Sequence, residues 1–246
     1  MKHALYSGTR NLYDDMETAA KSLVANSDVD KIWMLVEDEC FDYFRPFLPD
    51  IIEVIDVSGQ QFFPEESPNM RSRFSYLSLM RAALALMPEL SHIDRILSLD
   101  VDTICVRDVS HVWDMPVDDC YFSASAEPGE CNRHKNMLYC NTGVAIYNLE
   151  NLRDGKAQEV VDCLNWRRYP NIEQDVFSFL CQGHIHDMPS EYNATAFTES
   201  CAKPRIKHFA GISAVKWREE QHVQAYRSMS WDEALERHER AIAGQP

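Results

Sequence analysis

The chain is poor in several of the features that sort proteins into classes. Its 246 residues hold no apolar run near the ~18 residues a membrane-spanning helix needs. The best candidate, Leu79 to Leu86, is broken by Arg81 and closed by Pro88. Polar residues follow Met1-Lys2-His3-Ala4-Leu5-Tyr6 at once, so no signal-peptide core is seen and a cytoplasmic location is expected. No stretch is rich in Lys or Arg, and 24 basic against 39 acidic residues give a net charge of −15. That balance excludes a nucleic-acid partner held through its phosphates and disfavours an anionic membrane surface. It does not exclude a small phosphorylated ligand, which needs only one or two local cations. The eight cysteines, at positions 40, 105, 120, 131, 140, 163, 181 and 201, include no Cys-x-x-Cys pair and read as reduced thiols. Cys131-x-x-His134 has zinc-like spacing, but no second ligand pair follows it. Repeats, low-complexity tracts and linkers are absent, so a single domain over 1–246 is expected.

What is present is 45% apolar residues, enough for a core, arranged as short β-type runs alternating with helical patterns. His3 to Ser7, Lys31 to Val36, Ile51 to Val57 and Arg95 to Leu99 read as strands. Between the first two, Asn11 is placed to cap a helix whose Leu12, Met16, Ala19 and Leu23 share one face. A loop with Pro64, Pro68 and Asn69 leads to a predicted long helix, Arg71 to Met87. Strand–helix alternation predicts an α/β fold with a mixed, mostly parallel sheet flanked by helices. In the second half, Tyr121 to Ala126 and Gly143 to Leu149 read as strands, and Gln158 to Leu164 and Asp175 to Cys181 as helices. Arg205 to Phe209 is a short apolar stretch. Ser230-x-x-Glu233 opens a last helix, about 230–242.

Three places carry chemistry. Arg95-Ile96-Leu97-Ser98-Leu99-Asp100-Val101-Asp102 is an apolar strand ending in two carboxylates two residues apart. Extended backbone puts both on one face, at the carboxyl end where open α/β sheets bind ligands. Two oxygen donors there suit Mg²⁺ or Mn²⁺; on the pattern alone the alternative is a turn with solvated or helix-capping aspartates. Arg81 falls in line with Phe74, Leu77 and Leu84 on a face that should be buried. A charge there needs a partner: an anionic ligand, a catalytic carboxylate, or a purely structural ion pair. The segment from Ile206 to Trp217 offers His208, then Gly211, then Lys216. As a third ligand, His208 biases the site toward Mn²⁺, although a lone histidine is commonly a plain core or surface residue. His184-x-His186 reads as strand-end residues.

Together these segments resemble glycosyltransferase family 8, the retaining, glycogenin-like and lipopolysaccharide galactosyltransferase-like enzymes. Leu97-Ser98-Leu99-Asp100-Val101-Asp102 is similar to the family's Leu-Tyr-Leu-Asp-x-Asp. Tyr139-Cys140-Asn141-Thr142-Gly143-Val144 resembles its Phe-Asn-Ser/Ala-Gly-Val. Glu173-Gln174-Asp175 resembles its Asp-Gln-Asp, and His208-Phe209-Ala210-Gly211 with Lys216-Trp217 its His-Tyr-x-Gly-x-x-Lys-Pro-Trp. The resemblance implies a GT-A type, Rossmann-like domain, with a nucleotide-binding half over about 1–105 and an acceptor-side half over about 106–217. It implies transfer of a hexose, glucose or galactose, from a UDP-sugar to a carbohydrate, lipid-linked or protein acceptor. Asp100, Asp102 and His208 would hold Mn²⁺, with Mg²⁺ as the alternative. Ser7, Thr9 and Asn11 fall where the first loop holds uridine, with Tyr13 to stack on uracil. Arg81 and Val101 would meet the donor. Asn141, Thr142 and Glu173 would line the sugar, Gln174 would sit beside the anomeric carbon, and Gly211 and Lys216 would close over the phosphates. Catalytic roles thus fall to Gln174, Asn141 and Arg81.

Departures from the family pattern are Glu173 for its Asp, Thr9 for its acidic or Asn uracil contact, and Tyr13 one position beyond the usual aromatic. Lys216 lies eight residues after His208 rather than six, without the proline. Two other functions fit parts of the pattern. A nucleotidyltransferase commonly has a Gly-rich, basic loop after the first strand, and Ser7-Gly8-Thr9-Arg10 is poor in glycine. A non-catalytic UDP-sugar or glycan-binding protein would have no need of the complete metal set.

Overall fold

The structure is a computed structural model that describes residues 1–37, 45–135, 137–211 and 214–243. Cys40, and Ile212 and Ser213 of the segment after His208, lie outside the described residues. The main sheet has the order β3-β2-β1-β4-β7-β6-β8. Its strands are β1 (His3–Ser7), β2 (Lys31–Val36), β3 (Ile52–Asp56), β4 (Arg95–Leu99), β6 (Phe122–Ala126), β7 (Cys140–Asn148) and β8 (Ile185–Asp187). Every pairing is parallel except the two that β7 makes, with β4 and β6.

Alternation along each strand feeds two apolar layers. Ala4, Tyr6, Ile32, Met34, Leu97, Leu99, Val144 and Ile146 face one cluster, and Leu5, Trp33, Leu35, Ile96, Ala145 and Tyr147 face the other. Helices cover both faces, which is why the central strands read as nearly continuous apolar runs. The first layer is closed by α1 (Tyr13–Ala25), α7 (Gln221–Ser228) and α8 (Trp231–Ile242); the second by α2 (Met80–Ala83), α4 (Ala157–Trp166) and α5 (Ile172–Leu180). A turn α3 (Pro128–Arg133) precedes β7, and α6 (Ala214–Glu219) precedes α7. Ser230 caps α8 as expected, its Oγ accepting from the Glu233 N–H at 3.1 Å.

Several expectations change. The helix over Arg71 to Met87 is broken: 71–75 are turns and bends, followed by a 3₁₀ turn Tyr76–Ser78, the short α2, and a second 3₁₀ turn Leu84–Leu86. Ser72 Oγ donates to the Phe74 carbonyl and accepts its N–H, and Ser75 Oγ accepts from Leu77 N–H, so local side-chain bonds compete with a helix ladder. Phe74 is therefore exposed, while Leu77, Arg81 and Leu84 are buried. Asn11 does not cap α1. The chain enters through a 3₁₀ turn Arg10–Leu12, and Asn11 Oδ1 instead accepts from the Thr9 hydroxyl. Helix α5 starts at Ile172, so Gln174 lies inside its first turn rather than before it. Strand β7 starts at Cys140, which puts Asn141, Thr142 and Gly143 in the sheet itself.

The unforeseen feature is a second, two-stranded sheet. Here β5 (Thr103–Cys105) pairs antiparallel with β9 (Ile206–His208), Thr103 opposite His208. This short ladder carries a residue from late in the chain to the end of β4.

Candidate active site

The chain leaves β1 for β2 on one side and returns to β4 on the other. The carboxyl ends of these adjacent parallel strands, with the start of antiparallel β7, border a cleft of about 720 Å³. This is the switch point where open α/β sheets take ligands. Ser7 comes from the end of β1, and Asp100, Val101 and Asp102 from the end of β4. Asn141 and Thr142 come from β7, and Glu173 and Gln174 from α5. Arg81 forms part of the wall, and His208 and Gly211 enter from β9 and the turn after it.

Asp100 to Thr103 is a turn rather than extended chain: Thr103 N–H and its hydroxyl both bond the Asp100 carbonyl, at 3.2 and 2.7 Å. The turn still presents both carboxylates to His208, whose Nε2 is 3.4 Å from an oxygen of each. Donor atoms from the three residues lie within 4.8 Å of one another. Among the described residues no other such cluster occurs. His208 is buried and its Nδ1 bonds Asn193 Oδ1 at 2.8 Å. The amide oxygen requires the proton on Nδ1, which leaves Nε2 to point at the carboxylates. Nε2 has no hydrogen-bond partner although it is buried.

Gly143 completes the cradle. A Cβ there would stand 2.2 Å from His208 Cε1 and 2.6 Å from Asp100 Oδ2. Two hard oxygens, one imidazole with Nε2 directed inward, and a strand stripped of its side chain fit a divalent cation.

Arg81 links this cluster to the opposite wall. It is buried, bonds Asp100, and reaches Glu173 Oε1 at 3.1 Å and the Thr142 carbonyl at 3.2 Å. Burial alone would raise the Asp100 pKa, but Arg81 and His208 pull it down to about 2. Burial alone would lower the His208 pKa, but attraction to both carboxylates pushes it up to about 9 without a cation. Glu173 goes the other way: burial outweighs Arg81 and lifts it to about 7. Its Oε2 is buried and unpartnered.

Asn141 spends its amide inside the protein. Its Nδ2 donates to Glu127 Oε1 at 2.7 Å, and its Oδ1 accepts from Asn193 and the Gly143 N–H. Ile172 has φ of 39°, a left-handed conformation that a β-branched residue adopts only under constraint, next to Glu173 and Gln174. Gly211, with φ of 71°, turns the chain after β9, where a side chain would press on Phe197.

Some expected residues lie elsewhere. Thr9, Asn11, Tyr13 and Lys216 are not in the cleft wall. Tyr13 packs in the core beside Met16, and it is Leu12 that faces the cleft. Lys216 is exposed on α6, next to buried Trp217, which does line the cleft. Glu127, Tyr139, Gly143 and Asn193 were not singled out from the sequence as site residues. Cys131 and His134 form no metal site: Cys131 Sγ bonds the Tyr139 backbone and His134 stacks on the Tyr139 ring. The described cysteines are all free thiols.

The mixed, mostly parallel sheet flanked by helices is a fold of the GT-A type. The sequence model for glycosyl transferase family 8 matches residues 18–215, and the chain belongs to that family of glycosyltransferases. No curated protein sequence matches the chain. Among solved structures it is similar to the WbbM bifunctional glycosyltransferase, with a TM-score of 0.72 at 15% identity over 98% of this chain and 52% of that one. It is also similar to the galactosyltransferase LgtC, solved with donor and acceptor sugar analogs (TM-score 0.70, 18% identity, 93% and 96% of the two chains). A third is GlyE of Streptococcus pneumoniae TIGR4 (TM-score 0.70, 20% identity, 100% and 64%). The chain thus spans about half the length of WbbM. No helix among the described residues is long and apolar enough to cross a membrane.

Proposed function

We propose that this protein is a retaining hexosyltransferase that moves glucose or galactose from a UDP-sugar to an acceptor hydroxyl on a carbohydrate, lipid-linked or protein partner. The observation that carries the proposal is the Asp100–Asp102–His208 cradle at the end of β4, tied by Arg81 to the Glu173 wall. Asp100, Asp102 and His208 would hold Mn²⁺, or Mg²⁺ in its place, and the bound cation supplies charge neutralisation for the departing diphosphate. Arg81 fixes the Asp100 carboxylate in place, and Asn193 fixes the ring of His208. Ser7 lies at the uridine end of the cleft in this reading. Glu173 Oε2, buried without a partner, is completed by a donor-sugar hydroxyl. Gln174 presents a neutral amide dipole to the anomeric carbon, which supports a front-face route to retention without a covalent intermediate.

The test is a thermal-shift screen of UDP-sugars with and without Mn²⁺, followed by UDP release. The proposal expects a metal-dependent rise in melting temperature with UDP-glucose or UDP-galactose. A nucleotide-induced shift that is the same in chelator would remove the cradle from the donor site.

A further inference from the structure

We propose that the Tyr139 hydroxyl is a positioning group that fixes which end of the Gln174 carboxamide faces the cleft. The inference rests on the glycosyl-transfer reading for what Gln174 does, and on hydrogen-bond valence for how Gln174 is held.

Tyr139 is buried at the base of β7, its ring stacked on His134 at 5.5 Å and 15° and tilted against Phe179 at 6.2 Å. The hydroxyl has one proton and two lone pairs. The proton goes to Asp175 Oδ1 at 2.5 Å, because a carboxylate offers only acceptors. The lone pairs receive Asn171 Nδ2 at 2.9 Å and Gln174 Nε2 at 3.2 Å. Its hydrogen-bonding capacity is then complete, and Gln174 can meet it only with the NH₂ end.

The other end of the amide is set independently. Gln174 Oε1 accepts from the Thr142 N–H of β7 at 3.2 Å, and a backbone N–H can only donate. The NH₂ end is thus held on the Tyr139 hydroxyl and the carbonyl oxygen on the Thr142 N–H, with one lone pair of that oxygen uncommitted.

Rotation of a glutamine amide through 180° is otherwise nearly free, since its terminal torsion is broad and two-fold. The chain Asp175–Tyr139–Gln174 removes that freedom. It holds the NH₂ end on Tyr139 and leaves a lone pair of the carbonyl oxygen for the cleft, the polarity that stabilises a developing oxocarbenium-like centre. The constrained left-handed Ile172 two residues before Gln174 is consistent with a segment held in one conformation for a purpose other than stability.

Tyr139→Phe removes a single oxygen and keeps the ring stack. The expected result is a fall in kcat of about tenfold or more with the donor KM within about twofold, and with Mn²⁺-dependent UDP binding unchanged. The Gln174 side-chain amide pair in a ¹⁵N–¹H spectrum, assigned by its loss in Gln174→Ala, should shift and exchange faster with solvent in Tyr139→Phe. Should Tyr139→Phe fold poorly, Asp175→Asn keeps the shape and ends the acceptor-only character of that position, and it should reproduce the kcat loss and the amide shift. An unmoved amide resonance, or early melting with wild-type kcat, overturns the proposal. Wild-type protein that releases no UDP from any UDP-hexose would count against the donor reading instead, and the amide spectrum would still decide the tether.

Discussion

Gly143 gives the sharpest test of the cation cradle, because the perturbation is a single methyl group. In Gly143→Ala the new Cβ would lie 2.2 Å from His208 Cε1, 2.8 Å from His208 Nε2 and 2.6 Å from Asp100 Oδ2. The shortest of these is more than 1 Å inside ordinary contact, and all three are closer than real Cβ atoms come. Strand β7 is tied on its β4 side here. The Gly143 carbonyl accepts the Asp100 N–H at 2.7 Å, its own N–H bonds Asn141 Oδ1, and neighbouring Val144 is paired to Leu99 in the core. The imidazole and the carboxylate must therefore withdraw. Metal–ligand distances tolerate only about 0.2 Å, so His208 is lost as a ligand and Asp100 is displaced. Disturbing groups outside the ligand set already costs about 10–100-fold in metal affinity, and losing a ligand should exceed that. Overpacking adds about 1–3 kcal/mol of destabilisation, a drop of roughly 2–4 °C per kcal/mol at this chain length. Calorimetric titration of Mn²⁺ into protein with UDP, beside a melting curve, reads both effects. A folded Gly143→Ala variant with Mn²⁺ affinity within a factor of a few of wild type would refute the cradle.

Three further outcomes follow from the same geometry. Arg81→Ala leaves Asp100 and Glu173 facing each other without their shared cation, and breaking such a buried pair costs about 3–5 kcal/mol; melting and turnover should both fall, with only partial rescue by Arg81→Lys, which lacks the planar fork. Wild-type stability in Arg81→Ala would show that the guanidinium is not the bracket described. Gln174→Ala should lower kcat far more than donor binding, whereas a lower melting point with normal kcat would leave Gln174 a structural role only. Glu220 caps α7, and although burial opposes it, Lys207, His222 and the N–H groups of His222 and Val223 pull its pKa down to about 2. Its folded pKa lies below the ordinary 4.5, so its contribution is complete above that value and is lost as pH falls toward 2. After discounting for solvent it amounts to about 1–2 kcal/mol. Acid melts of Glu220→Gln should lack that step, and an unchanged acid limb would contradict the assignment.

The two halves of the site differed in how far the sequence exposed them. Asp100 and Asp102 were legible because they end a strand whose apolar run is itself the signal for a buried central position. The layers were legible for the same reason: β1, β2 and β4 alternate between two clusters and need no long-range information. From the residues alone His208 was one candidate third ligand with nothing local to place it at the site. Its place beside Asp102 depends on β5 pairing with β9, each only three residues long and too short to show periodicity. The helix read across Arg71 to Met87 failed because the apolar spacing continues through Ser72 and Ser75, whose hydroxyls bind local backbone instead. Glu127 and Asn193 are single polar residues with no motif around them, and Tyr139 only opens the stretch that resembles one; the roles of all three exist only in the network that joins β6, β7 and the segment before β9. Asn141 shows the limit of a motif. It is found in the cleft wall, yet its amide is spent on Glu127, Asn193 and the Gly143 N–H. Tyr13 and Leu12 exchange places for a geometric reason, since the 3₁₀ turn over Arg10–Leu12 rotates Leu12 to the cleft and Tyr13 into the core.

Metal-dependent transfer from a nucleotide sugar is read out by UDP release from UDP-glucose and UDP-galactose. Wild type and Asp102→Asn would be compared with Mn²⁺ and with chelator, each checked for an intact fold by its melting curve. The Asp100–Asp102–His208 cradle predicts release by wild type with Mn²⁺, abolished by chelator, and near-background release by folded Asp102→Asn under either condition. Equal release by wild type and Asp102→Asn, or release that survives chelation, would contradict it.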